Sequence, residues 1–159
     1  MRIHHLNCGS MCPLGQRLIN GEGSWLGKAK MCCHCLLIEG RDGLILVDTG
    51  LGTADVAQPR RMGLMFNAFV NPQYRMSDTA LFQIRELGFD PADVRHIVPT
   101  HLDLDHVGGL SDFPDAQVHV FHRELDAALA RSSVHEKTRY LPHQWAHGPN
   151  WVRHEVQGD

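Results

Sequence analysis

The sequence predicts a mixed α+β fold in one domain spanning residues 1–159. Three observations carry this. Apolar runs of strand length recur along the chain, they alternate with segments whose apolar residues repeat at helical spacing, and 159 residues suit a single hydrophobic core. The apolar fraction of 43% and the charged fraction of 21% are those of an ordinary globular chain, which excludes disorder, collagen-like repeats and a disulfide scaffold.

Taken in order, Arg2 to Leu6 reads as a short strand, and the Gly, Asn and Ser content of residues 7–24 as a loop. Cys33 to Glu39 and Leu44 to Asp48 are apolar runs joined by Gly40-Arg41-Asp42-Gly43, the pattern of a β-hairpin, and the second run ends in an Asp48-Thr49-Gly50 turn. From Thr53 to Met76 the pattern is irregular. Its cluster of Met62, Leu64, Met65, Phe66, Phe69 and Val70 is expected to pack onto the core, with a lid or substrate wall as the alternative. Ser77 or Asp78 caps a helix bearing Leu81, Ile84 and Leu87 on one face and stopping at Gly88. Asp90-Pro91 opens a brief helical turn before a strand at His96 to Pro99. Gln117 to Phe121 reads as a strand and Arg123 to Arg131 as a helix with Leu125 and Leu129 four apart, whereas residues 132–159 show little periodicity.

The net charge of -3 and the lack of a Lys/Arg cluster exclude a nucleic-acid partner. No apolar stretch approaches the roughly 20 residues of a membrane span, and the first residues lack a signal peptide's apolar region, so the expectation is a cytoplasmic protein acting on a small molecule. Cys8, Cys12, Cys32, Cys33 and Cys35 fit no disulfide framework. A zinc site from Cys32-Cys33-His34-Cys35 with Cys8 and Cys12 is conceivable, but buried thiols alternating along a strand are the better reading. Twelve histidines in so short a chain raise the prior for a metalloprotein.

Those histidines acquire meaning at residues 101–109. In an extended segment alternate side chains point the same way, so His101, Asp103 and Asp105 can converge while His106 begins to turn away. Alone, Asp105 would read as a helix cap and His101 as a surface residue. Together, two histidines and two aspartates within six residues, after an apolar strand and before Gly108-Gly109, make a metal site. The glycines would let backbone pack closely at the start of a following helix.

The segment Thr100-His101-Leu102-Asp103-Leu104-Asp105-His106-Val107-Gly108-Gly109 resembles the T-H-x-H-x-D-H-x-G-G signature of the metallo-β-lactamase superfamily. Leu46-Val47-Asp48-Thr49-Gly50 resembles its earlier D-T-G turn, and Cys8-Gly9-Ser10-Met11 with the hairpin is similar to the start of lactonase-like members. The resemblance implies the N-terminal half of a four-layer αββα sandwich, the C-terminal half with its further ligands lying outside this chain. It implies two divalent metal ions, zinc foremost, with His101 on the first, Asp105 and His106 on the second, and Asp48 bracing the loop from behind. Asp103 stands where the family usually has histidine, and a carboxylate there tilts the choice from zinc toward iron or manganese. His135, His143, His147 and His154 lie in no family motif and read as surface residues. The implied function is hydrolysis of an ester, lactone or thioester by a metal-activated water that Asp105 orients. The alternatives are a diiron oxygen-reducing enzyme, suggested by the carboxylate at 103, and a non-catalytic metal-binding or interaction half-domain.

Overall fold

A six-stranded sheet forms the frame of the computed structural model, which describes residues 1–155. β1 (Ile3–Met11), β2 (Met31–Glu39) and β3 (Leu44–Val47) are antiparallel neighbours, and β4 (Val94–Val98), β5 (Gln117–Phe121) and β6 (Asn150–His154) add in parallel, so spatial order follows chain order. The parallel strands need connections that cross the sheet, and these carry α2 (Thr53–Ala57), α3 (Leu64–Val70), α4 (Ala80–Glu86), α5 (His122–Ala130) and α6 (Val134–Arg139). A short α1 (Gln16–Asn20) lies between β1 and β2.

One sheet face makes the core. Cys35 and Leu37 of β2, Leu44 and Leu46 of β3, Ile97 of β4 and Val118 and Val120 of β5 pack with Ile84, Leu125 and Ala128 from α4 and α5. This is the α+β arrangement the sequence predicts, with the hairpin, the Asp90 cap and the strand at residues 117–121 at their expected places. The buried and exposed positions of β2 alternate, which confirms the reading of Cys33 and Cys35 as buried thiols. Burial pushes the Cys33 thiol up, and the hydrogen bond with Cys8 together with burial does the same for Cys35.

Several expectations are corrected. β1 does not end at Leu6 but continues to Met11, because a register shift between Asn7 and Ser10 keeps Cys8 and Met11 facing inward through the polar stretch. The cap of α4 is Thr79, whose hydroxyl accepts from the Phe82 amide, while Ser77 and Asp78 sit in a preceding 3-10 turn. On α5 the buried pair is Leu125 and Ala128, with Leu129 turned to solvent, and Leu87 beyond α4 is also exposed. The apolar cluster of residues 62–70 divides. Met62 is buried with Phe66 and Val70 against it, in a second cluster with Met11, Cys33, Leu51 and Leu104, while Leu64, Met65 and Phe69 face solvent. Residues 132–155, expected to be irregular, form α6 and β6; residues 156–159 lie outside the described residues.

The opposite sheet face carries no core cluster among the described residues. It carries half-buried Leu36, Ile38, Ile45 and Val47, the exposed Ile3, Val98 and Phe121, and a row of histidines in which His96, His119 and His154 are joined by 2.9 Å contacts between ring nitrogens. No helix among the described residues is long and apolar enough to cross a membrane.

Candidate metal centre

The centre is built where the chain leaves β3 and β4, the C-terminal ends of two parallel neighbours. Asp48 follows β3 in a left-handed conformation (φ 55°) that aspartate tolerates better than most residues. Its carboxylate is held there from three sides. Thr100 donates its amide at 2.7 Å to Oδ1 and its hydroxyl at 2.8 Å to Oδ2, and His106 donates from Nδ1 to Oδ2 at 2.9 Å. The next residue, Thr49, donates its amide at 2.8 Å and its hydroxyl at 3.0 Å to the His106 carbonyl and accepts from the Gly109 amide. The D-T-G turn is therefore hydrogen-bonded to the loop from behind through both Asp48 and Thr49.

Residues 101–109 alternate as expected up to Asp105. Leu102 and Leu104 are buried anchors, and His101, Asp103 and Asp105 stay half-exposed between them. His106 departs from the expectation. Its amide donates to the Asp103 carbonyl in a tight turn, which folds its ring back to 3.9 Å from that of His101 rather than away from it. Gly108 has no room for a side chain, since a Cβ there would meet an Asp55 carboxylate oxygen at 2.2 Å. The close approach is thus as predicted, but the element that follows is a 3-10 turn, Leu110–Asp112, and not a helix.

The hydrogen bonds fix the histidine tautomers. The Thr100 hydroxyl gives its proton to Asp48 and so accepts from His101 Nδ1 at 3.0 Å, and His106 Nδ1 donates to Asp48. Both Nε2 atoms are left to ligate. His101 Nε2 lies 3.7 Å from Asp103 Oδ2, and His106 Nε2 lies 3.8 Å from Asp105 Oδ2. Two donors about 2.0–2.2 Å from one ion are at most about 4.4 Å apart, so each pair fits a shared divalent ion. Tethered Nδ1 atoms behind free Nε2 atoms are also the support that metal-binding imidazoles need. Burial works against charge on His106, but the Asp48 hydrogen bond and the Asp105 charge outweigh it and raise its pKa above the ordinary imidazole value.

The fit extends to two donors per ion. Among the described residues no three His, Cys, Asp or Glu side chains converge on one point. His135, His147 and His154 are exposed; His143 is half-buried, its Nε2 buried without a hydrogen-bond partner. Among the described residues the five cysteines are free thiols and belong to no group of three metal-ligating side chains.

Sequence reading missed the supports that come from α5 and the segment after it. Glu124 accepts from the Leu102 amide at 2.9 Å and from the Tyr140 hydroxyl at 3.2 Å. Arg139, at the end of α6, places Nε 2.7 Å and a terminal nitrogen 2.6 Å from Asp103 Oδ1. Gln144 donates to the Leu104 carbonyl at 2.7 Å from below. Only the extra carboxylate at 103 signalled that a cation should be nearby.

The model of the metallo-beta-lactamase superfamily matches residues 33–156. A probable metallo-hydrolase of Mycobacterium tuberculosis is 44% identical over 159 residues, all of this chain and 47% of the relative. An N-acyl homoserine lactonase of Bacillus thuringiensis is 34% identical over 113 residues, 69% of this chain and 44% of the relative. Among solved structures, an N-acyl homoserine lactone hydrolase with the product N-hexanoyl-L-homoserine at its catalytic metal centre superposes with a TM-score of 0.73 at 24% identity, over 99% of this chain and 60% of that one. The chain thus spans about half the length of the relatives it matches, and the part it spans includes the loop just described. A family model matched over most of the chain and a relative similar along its whole length lead to one conclusion: this chain belongs to the metallo-beta-lactamase superfamily.

Proposed function

We propose that this chain carries part of the metal centre of a hydrolase that opens lactones or cleaves related esters and thioesters of small molecules. The observation that carries the reading is the pair of Nε2 and Oδ2 donors on each side of the adjacent, mutually tilted His101 and His106 rings. His101 and Asp103 would hold one divalent ion, and Asp105 and His106 the other, with zinc the first choice for a mixed imidazole and carboxylate set. When bound, such ions polarise a carbonyl and bring the pKa of water to near neutrality.

The chain's own residues divide the remaining tasks. Asp48 and Thr100 hold both rings by their Nδ1 atoms and so fix the direction of each Nε2. Asp48 has its carboxylate occupied by Thr100 and His106 and Asp103 has one oxygen, Oδ1, held by Arg139, whereas neither oxygen of Asp105 makes a hydrogen bond among the described residues. Its side chain is 24% exposed, so its oxygens can orient an incoming water and take a proton from it. The lactonase relative supports a cyclic ester as substrate.

The test is ring opening of N-hexanoyl homoserine lactone by zinc-supplied protein, followed as acid release, with an aryl ester and a thioester alongside. Turnover that a chelator abolishes and that D105N lowers by about 10²- to 10⁴-fold is expected. No turnover of any of the three by metal-replete protein overturns the reading. Two irons per chain with oxygen consumption would replace it with the oxygen-reducing enzyme.

A further inference from the structure

Asp103 is the one member of the loop that departs from the superfamily signature, and its surroundings depart with it. Both nitrogens that Arg139 offers go to the same oxygen, Oδ1, at 2.7 and 2.6 Å. The other oxygen, Oδ2, makes no hydrogen bond among the described residues and lies 3.7 Å from His101 Nε2. Arginine ordinarily meets a carboxylate with one nitrogen to each oxygen. Here the grip is confined to one side, and the far side is left open toward the imidazole.

Arg139 is itself held. Its guanidinium stands 5.0 Å from the centroid of the Tyr140 ring, and Tyr140 is buried with its hydroxyl on Glu124. Glu124 in turn accepts from the amide of Leu102, the residue before Asp103. One short assembly from α5 and α6 therefore fixes both the backbone leading to Asp103 and the direction of its carboxylate.

We infer that Arg139 is a positioning residue that makes Asp103 the equivalent of a neutral imidazole, presenting one donor atom and adding no net charge to the metal centre. The inference rests on the metal-binding reading above and deepens it. A histidine at this position would supply one nitrogen and no charge. An unpaired carboxylate would supply two oxygens and one negative charge, giving the harder site that favours iron or manganese. With Oδ1 occupied and its charge offset, only Oδ2 is left to ligate. The departure at 103 then gives no reason to abandon zinc.

The experiment is a double-mutant cycle read by metal affinity and by the visible spectrum of the cobalt(II) form, measured in competition with a chromophoric chelator. R139Q is expected to weaken cobalt binding about 10- to 100-fold and to change the spectrum. In the D103H background the same R139Q change is expected to cost nothing, because an imidazole needs no guanidinium behind it. A merely structural arginine would cost the same in both backgrounds, and that result overturns the inference, as does unchanged affinity and spectrum in R139Q. R139K keeps the charge but not the paired grip, and is expected to fall between wild type and R139Q. Should R139Q fail to fold, R139K decides: full wild-type affinity and spectrum overturn the inference. A protein that binds no cobalt at all overturns both this inference and the metal-dependent function; a cobalt-binding protein indifferent to residue 139 overturns only the former.

Discussion

Asp55 buries its carboxylate completely behind the metal loop, against Gly108. Burial pushes its pKa up to about 6 despite the Gly52 amide and the charge of Arg61. A folded-state pKa above the unfolded value makes the protonated form the favoured one. The stability this group contributes is complete below about pH 4 and is lost as pH rises through 6, a difference on the order of 3 kcal/mol. D55N keeps an acceptor for the Gly52 amide but removes the titration. Denaturant midpoints at pH 4 and pH 7.5 should therefore show the variant gaining on wild type at the higher pH, and an unchanged difference would contradict the assignment. At this scale His101, Asp105, His106 and Asp48 were legible because ligand chemistry requires particular side chains at close spacing. Arg139 and Glu124 were not. They reach the loop from helices 22 to 36 residues away, and a lone arginine or glutamate on a helix has no pattern of its own.

Short elements depend on their ends. Thr79 accepts from the Phe82 amide and donates to the Met76 carbonyl at 2.8 Å, joining a 3-10 turn to a two-turn helix whose Ile84 is fully buried. Loss of a cap costs about 1 kcal/mol, so T79A is expected to lower the thermal midpoint by several degrees without changing the ion content of the metal-loaded protein. A simultaneous loss of metal would mean that α4 supports the loop more directly than its contacts indicate. The hairpin and α4 could be read because their apolar periods are unbroken. β1 was cut short because Asn7, Gly9 and Ser10 read as loop, whereas a bulge accommodates them within the strand. β6 escaped notice because a five-residue edge strand after Pro149, with Trp151 on one face and charge around it, has too few positions to establish a period.

For the whole molecule, the helices account for one side of the sheet only. Ile3, Val98 and Phe121 keep 44%, 40% and 39% of their surface exposed on the other, with the half-buried Leu36, Ile38, Ile45 and Val47 between them. An apolar face of this kind should bind an environment-sensitive dye under native conditions while the chain still unfolds in one cooperative transition. Replacing Val98 with Thr and Phe121 with Ser is expected to lower the dye signal; a signal that is unchanged would place the apolar surface elsewhere. The strand order has a further consequence for how the chain is made. Within the sheet of the described residues, every strand pairs with the strands before and after it in sequence. During synthesis each new strand can therefore add to an edge already complete behind it, while the metal loop closes late, because Asp48 and Thr49 wait for Thr100 and His106.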